Sequence, residues 1–146
     1  MPKSRSGPRN STLADGTDHA RLRAVRDGCE HYIADIPWHQ YCTLTFRFEM
    51  TEEDAVKEFE QCYIQRLQQR SQGRVTYFAV AARNWSIGRV HVHALLRFVR
   101  PLAISASKAA WKAGHADIKS YDSRRGASGY LARHVVLTGA APMVRQ

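Results

Sequence analysis

The sequence RVHVHALLRF occupies residues 89–98, and its first half alternates between apolar and imidazole side chains. This alternation predicts a β-strand, in which successive side chains point to opposite faces of a sheet. His91 and His93 would then project from one face and their valine neighbours from the other. Neutral imidazole is the commonest metal ligand in proteins, so the pair indicates a metal ion, a phosphate or a buried polar partner. Taken alone, the pair is better explained as two histidines that face solvent on a half-exposed strand.

The length and charge of the chain restrict its class. Its 146 residues correspond to one domain. Lys and Arg number 22 against 13 Asp and Glu, and the net charge of +9 favours a polyanionic partner, nucleic acid before membrane. No apolar run approaches the roughly 20 residues that span a bilayer, and the N-terminus lacks an apolar signal core. We therefore expect a soluble, cytoplasmic protein.

Two further functional classes are disfavoured by missing motifs. Cys29, Cys42 and Cys62 are odd in number and lack C-x-x-C spacing, which indicates reduced packing cysteines rather than disulfides or a zinc knuckle. No G-x-x-x-x-G-K-[ST] motif occurs, so an internal NTPase or helicase module is absent. If the protein acts on duplex DNA, a separate helicase must open the duplex.

Sequence on both sides of the histidine strand predicts three more strands. Residues 41–48 and 75–81 are rich in β-branched and aromatic residues, and residues 116–121 alternate between apolar and polar. Residues 85–88 form a turn, so the strand before it and the histidine strand make an antiparallel hairpin. We expect the threonines of the first strand to lie on the face opposite to Leu44, Phe46 and Phe48.

Helices are predicted between these strands. Thr51 resembles an N-cap followed by an acidic first turn, and Gly73 is the expected stop of that helix. Shorter helices are predicted over residues 106–112 and 126–137. The order βαββαβ plus a C-terminal helix predicts an α+β fold, a ferredoxin-like antiparallel sheet with helices on one face.

The predicted domain occupies residues 18–138 and begins with a short helix over residues 18–34. Residues 1–17 are basic and have no apolar periodicity, which predicts a disordered arm that serves as a solubilising tail or as a nucleic-acid contact. Residues 139–146 are predicted to be a tail.

A candidate nucleophile lies in the last predicted helix. Tyr130 and Arg133 are three residues apart and so share a helical face. A tyrosine phenol can attack a metal-polarised phosphate and trap a cleaved strand as a phosphotyrosine. Because the free phenol is un-ionised at neutral pH, it needs a metal or a cation such as Arg133 to stabilise the developing charge. Tyr130 could instead be a core aromatic residue, and Tyr121 is the rival nucleophile.

Three segments together resemble the motifs of a known superfamily. They are YCTLTF at residues 41–46, RVHVHALL at residues 89–96 and GYLARH at residues 129–134. Their order and spacing, from about Trp38 to Val136, resemble those of HUH endonucleases, and most closely the rolling-circle replication initiators, or Rep proteins.

The resemblance implies a metal-dependent endonuclease that nicks and joins single-stranded DNA to initiate rolling-circle replication. His91 and His93 would hold Mn²⁺ or Mg²⁺, and Tyr130 would form a 5′-phosphotyrosine while releasing a 3′ hydroxyl that primes synthesis. Arg133 takes the position where the family commonly has lysine. The implied partners are single-stranded or hairpin origin DNA and a separate host helicase and polymerase, in a plasmid or virus replicon, with no membrane.

A second position, besides Arg133, departs from the family pattern. The third metal ligand in many members is a glutamate near the end of the second strand, which corresponds to about Ala82 here, where no carboxylate occurs. Asp117 or Asp122 could substitute, although neither matches the motif.

Eight further residues around the three motifs are predicted to contact DNA. The basic loop before Tyr130 would clamp phosphate, and the hairpin would stack on or pair with unstacked bases. The polar residues of the first strand would border the histidines. These eight are Arg124 and Arg125 in the loop, Arg83, Trp85 and Arg89 in the hairpin, and Thr43, Thr45 and Arg47 in the first strand.

Two alternative functions remain open at this point. A HUH transposase or relaxase would use the same chemistry. A non-catalytic module of the same fold would bind single-stranded DNA or RNA with a steep salt dependence and would cut nothing.

Overall fold

The computed structural model of the protein describes residues 12–83, 88–125 and 143–145. Its helices are α1 (Thr12–Ala34), α2 (Glu52–Lys57), α3 (Ile64–Ser71) and α4 (Ile104–Ala110). A π-helical segment (Glu58–Tyr63) joins α2 to α3, and a 3-10 turn covers Ser123–Arg125. The strands are β1 (Gln40–Thr45), β2 (Val75–Arg83), β3 (Val90–Phe98), β4 (Ala116–Ser120) and β5 (Met143–Arg145). None of these helices is long and apolar enough to cross a membrane.

The five described strands form one sheet in the order β4-β1-β3-β2-β5, and every neighbouring pair is antiparallel. The first four strands have the ferredoxin-like arrangement that the βαββαβ order predicts, so the predicted α+β fold is confirmed. Strand β5 was not predicted. It lies within the segment expected to be a tail and pairs with the middle of β2, from Tyr77 to Ala79.

The crossover helix between β1 and β2 begins as predicted. Thr51 Oγ1 accepts a hydrogen bond from the main-chain N–H of Asp54 at 3.1 Å, and three acidic residues occupy the first turn. Its end differs from the prediction. The left-handed residue that ends the helix is Gln72, with φ 54° and ψ 38°, and Gly73 comes after it.

One face of the sheet packs against the crossover helices. Even-numbered residues of β3, such as Val92 and Leu96, are fully buried there with Phe59 and Tyr63 of the π-helical segment. Trp111, just after α4, packs edge-on against Tyr63 with ring centroids 5.3 Å apart. This cluster is the main hydrophobic core of the described residues, and it is the face that the helices were predicted to cover.

The opposite face is partly covered by the C-terminal turn of α1. Ile33 of α1 packs in a second cluster with Phe78 of β2 and Leu95 of β3. Trp38 joins this cluster and donates from Nε1 to the carbonyl of Ile33 at 2.8 Å, which attaches the helix end to the sheet. Helix α1 begins at Thr12, so it also includes residues 12–17 of the predicted arm.

Strand β1 is shorter than predicted. It ends at Thr45, and Phe48, expected on the buried face with Leu44, is 75% exposed. Gly114 contributes to this end of the strand: a Cβ there would lie 2.1 Å from the carbonyl oxygen of Thr45. Only glycine allows such close approach of two backbone segments, and the approach lets Arg47 N–H donate to the carbonyl of Ala113 at 2.8 Å.

We expect Gly114→Ala to lower the free energy of unfolding by about 1 to 3 kcal/mol, because the added methyl forces the two backbones apart. Gly28→Ala in α1 is the matched control. A Cβ at Gly28 meets nothing within 4 Å, so the substitution should raise helix stability by up to about 1 kcal/mol. Urea denaturation of both variants tests the contrast, and equal effects would contradict it.

Candidate active site

His91 and His93 project from the same face of β3, as the alternation predicted. Both lie opposite the face that packs on the crossover helices. Their rings are perpendicular, at 85°, with centroids 4.6 Å apart. His93 is 6% exposed and His91 is half-buried. The two imidazoles are therefore held close enough to act on one small ligand.

The register of the sheet decides what surrounds the pair. Across the β1–β3 ladder, Thr45 is opposite His91 and Thr43 is opposite His93. On the β2 side, His91 is opposite Ala82. Since cross-strand partners share a face, these threonines border the histidines, in agreement with the prediction for the first strand.

The Nδ1 atom of His93 contacts two hydroxyl groups from β1. Tyr41 Oη lies 3.2 Å away and Thr43 Oγ1 lies 3.3 Å away. The Tyr41 ring also stacks on the imidazole, with an interplanar angle of 10°. If Nδ1–H donates to either oxygen, the lone pair of the imidazole is on Nε2, which is then the atom that would bind a metal ion.

Tyr41 is a site residue that the sequence motifs do not indicate. It is two residues before Thr43 on the same strand, so the period of two already places it on the face of the histidines. The sequence does not give the register between β1 and β3. In that register Tyr41 is directly opposite Leu95, and its phenol reaches diagonally to His93.

The other threonine of β1 is tied to the main chain. Thr45 Oγ1 donates to the carbonyl of His115 at 3.2 Å, and its N–H donates to the same oxygen at 2.9 Å. These bonds connect the His91 end of β1 to the segment that leads into β4.

Three of the predicted DNA-contacting arginines lie near the His91 end of the sheet. Arg47 and Arg89 are exposed. Arg83 donates from Nη1 to the carbonyl of Gly88 at 2.8 Å and from Nη2 to that of Met50 at 3.4 Å. Arg83 therefore fastens the base of the hairpin, where Gly88 adopts a left-handed φ of +65°.

The remaining predicted residues are not part of this arrangement. The guanidinium of Arg124 pairs with Asp122, with Nε 3.1 Å from Oδ1, and Arg125 follows it in the 3-10 turn. The rival nucleophile Tyr121 follows β4, at the end of the sheet away from His91. Trp85, Tyr130 and Arg133 lie outside the described residues, as does the helix predicted over residues 126–137.

Ala82 is about the position where the resemblance implies a glutamate, and the structure places it directly beside His91. Its side chain is 1% exposed and packs with Phe78 and Val80. A methyl group therefore stands next to the imidazole where the resemblance would put a carboxylate.

Neither acidic substitute suggested by the sequence fills that gap. Asp117 is opposite Thr43, which is in turn opposite His93, so a whole strand separates its carboxylate from the histidines. It also pairs with Lys119 at 3.9 Å, and Asp122 is bonded to Arg124. Within the described ranges, no three His, Cys, Asp or Glu side chains are arranged to hold a metal ion.

The three cysteines are free thiols, as expected. Cys42 lies between Tyr41 and Thr43 but points into the main core, where burial raises the pKa of its thiol far above the ordinary value. It is chemically inert there, so the residues of β1 that can act at the site are the hydroxyl-bearing ones.

The chain matches a known protein family. The model of a family described as Replication-associated protein ORF2/G2P matches residues 39–137, which is more than half of the chain. The matched range contains all three motifs, whereas α1 and β5 lie outside it. No significant match was found among curated proteins or among solved structures.

We expect the double substitution Tyr41→Phe/Thr43→Val to change the tautomer ratio of His93 and to lower the free energy of unfolding by about 1 to 3 kcal/mol, because it removes two hydroxyls from a buried ring nitrogen. Thr45→Val is the control, since its hydroxyl contacts an exposed main-chain oxygen. Ring ¹⁵N chemical shifts and urea denaturation measure the two effects. Unchanged His93 shifts would show that the hydroxyls do not select the tautomer.

Proposed function

The chain belongs to the replication-associated protein ORF2/G2P family, and on this premise we propose that it initiates rolling-circle replication by nicking and joining single-stranded DNA. Family membership supports a role in replication. The observation that carries the nicking chemistry is the pair of perpendicular imidazoles, His91 and His93, on the sheet face that also presents Thr43 and Tyr41.

The donor set of this pair suits a divalent transition metal. The two nitrogens lie on one rigid strand, and the hydroxyls at Nδ1 of His93 orient that ring in the way outer partners orient metal-binding histidines. Mg²⁺ takes oxygen ligands almost exclusively, and no described carboxylate adjoins the pair. Mn²⁺ is therefore the better fit of the two expected ions. When bound, such an ion supplies Lewis-acid polarisation of the phosphate oxygens.

Tyr130 is the proposed nucleophile, on the strength of the GYLARH motif. Its phenol oxygen forms a bond to the scissile phosphorus, and the bond from phosphorus to the 3′ oxygen breaks. The phenol proton passes to solvent, and the departing 3′ oxygen takes up a proton to become the hydroxyl that primes synthesis. Arg133 offsets the charge on the phenolate. Attack by a 3′ hydroxyl on the phosphotyrosine reverses the step and joins the strand.

Arg47 and Arg89 are proposed to hold phosphates on the strand close to the cleavage position. Both are exposed at the end of the sheet where β1 ends and β3 begins, next to His91. Arg83 has its guanidinium committed to two main-chain carbonyls, so its contribution is to hold the hairpin in place.

A second function is favoured by one observation, the alanine at position 82. If no other group completes the metal site, the same sheet face serves as a non-catalytic binder of single strands. Such a protein would bind with a steep salt dependence and leave DNA uncut in Mn²⁺.

The covalent step is tested with single-stranded oligonucleotides from the replicon's origin in the presence of Mn²⁺. We expect the parent protein to form an adduct that survives denaturing electrophoresis, because the phosphotyrosine is covalent. Tyr130→Phe should form none, and Tyr121→Phe should form as much as the parent. An adduct on the Tyr130→Phe protein would overturn the assignment of the nucleophile, and an uncut oligonucleotide with the parent would favour the binder.

Metal binding is tested by titrating Mn²⁺ into the DNA-free protein in a calorimeter. We expect His91→Ala to weaken binding at least tenfold, because it removes one of two nitrogen ligands. His91 is the better target than His93, since it is the more exposed of the two. His31→Ala removes an exposed histidine on α1 and should leave the affinity unchanged. If His91→Ala binds Mn²⁺ as the parent does, the metal site lies elsewhere.

A further inference from the structure

The residue directly before β4 is a histidine, His115, that belongs to none of the three motifs. Ala116 and Ile118 of that strand pack against the main hydrophobic core, on the side of the crossover helices. Because successive side chains of an extended strand point to opposite faces, His115 projects from the other face, which carries the histidine pair. His115 is exposed there, so its ring can reach a ligand bound on that face.

The hydrogen bonds of Thr45 set the position of His115 across the sheet. The N–H of Thr45 donates to the carbonyl of His115 at 2.9 Å, which extends the β1–β4 ladder by one residue. Thr45 is also opposite His91 in the β1–β3 ladder. His91, Thr45 and His115 therefore form one row across three strands. Two interstrand spacings, about 10 Å, separate the main chains of the two histidines.

The segment that carries His115 is held by close contacts with β1. Gly114 lies against the carbonyl oxygen of Thr45, which also accepts a hydrogen bond from Trp111 Nε1 at 3.0 Å. Thr45 Oγ1 gives the His115 carbonyl its second hydrogen bond, at 3.2 Å. A group that acts on a substrate needs a main chain that stays in place while the side chain reaches out, and this segment provides one.

His115 is not placed to complete the metal site. Among the residues that the structure describes, no group of three His, Cys, Asp or Glu side chains could hold one ion. Strand β1 instead leaves a gap between the two imidazoles of this row. A phosphate bound above Thr45 would lie between His91 on one side and His115 on the other.

His115 differs from its charged neighbours in the protons it can transfer. Arg47 and Arg89 keep their protons at physiological pH, so they bind phosphate without giving up a proton. The carboxylate of Asp117 is in an ion pair with Lys119, with 3.9 Å between oxygen and nitrogen, and has no proton to give. An imidazole gains and loses its proton near neutral pH, which is the property that a general acid needs.

We propose that His115 is the general acid of the nicking step, whose imidazolium donates a proton to the departing 3′ oxygen. The proposal rests on the proposed function for the reaction itself. As the Tyr130 oxygen bonds to phosphorus, the bond from phosphorus to the 3′ oxygen breaks. Its electron pair stays on that oxygen, which takes the proton from His115. In the joining step the neutral imidazole removes the proton from the attacking 3′ hydroxyl as a general base.

A sulfur atom in the substrate separates proton donation from other roles of His115. In a 3′-bridging phosphorothiolate the departing atom is sulfur, and a thiolate leaves without protonation because it is a far weaker base than an alkoxide. Origin oligonucleotides with oxygen or sulfur at this position are compared in Mn²⁺. The rate of adduct formation is measured in a single turnover, with the protein in saturating excess.

We expect His115→Gln to slow adduct formation on the oxygen substrate by about 100-fold or more, the usual contribution of a general acid. On the sulfur substrate the same variant should react at close to the parent's rate. His31→Gln is the matched control, because it changes another exposed histidine, on α1, and it should match the parent on both substrates. An equal loss on both substrates, or no loss on either, would refute the general acid.

Binding of the oxygen substrate without divalent metal, measured by fluorescence anisotropy, checks that the variant is folded and holds DNA. We expect His115→Gln to bind as tightly as the parent. A loss of affinity with equally slow reaction on both substrates would assign His115 to holding DNA and contradict the proposal.

The outcome is distinguishable from a failure of the nicking function. If the parent forms the adduct and His115→Gln reacts as fast on the oxygen substrate, only the general acid is refuted and the proposed function stands. If the parent forms no adduct with either substrate, the nicking function is refuted and the role of His115 with it.

Discussion

The antiparallel pairing of β1 with β3 is the constraint on which the rest of the site depends. It sets Thr43 opposite His93 and Thr45 opposite His91, and it brings the Tyr41 hydroxyl to the Nδ1 atom of His93. A slip of one residue would turn the threonines into the core and Cys42 toward the imidazoles. The register is held by apolar burial on the other face, where Cys42, Leu44, Val92 and Leu96 are fully buried. The site is thus positioned by a core with which it shares no side chain.

The histidine pair sits where two kinds of environment meet. His93 lies against hydroxyls on one side, while the β2 side of the pair is apolar at Ala82. A glutamate at position 82 would bring a negative charge and an oxygen ligand, and alanine brings neither. The described residues around the pair therefore carry less negative charge than a site with a carboxylate at that position. A less negative site repels a phosphate less and binds a cation more weakly. Under the proposed function, alanine at this position therefore favours the DNA phosphate over the metal ion.

Much of the fold could be predicted from the sequence because its signals are local. The alternation at residues 89–98 placed both histidines on one face, and Thr51 marked the start of the crossover helix. The features that were missed depend on contacts between distant residues. Strand β5 has only three residues, and its pairing with β2 is set by tertiary contact. Gln72 ends the helix although its neighbour Gly73 is the residue type expected there. Tyr41 became a site residue only once the register was known.

Strand β5 also bears on how the molecule behaves in a concentrated solution. The two outer strands of a sheet carry unpaired N–H and C=O groups that can recruit another chain. At one edge of the described sheet, β4 is five residues long and carries Asp117 and Lys119, which discourage such pairing. Strand β2 is nine residues long and mostly buried and apolar. Without β5, its outer N–H and C=O groups would be free to pair with a strand of another molecule. The three residues of β5 that pair with the centre of β2 therefore reduce edge-to-edge association between molecules. This effect does not depend on any contact between β5 and DNA.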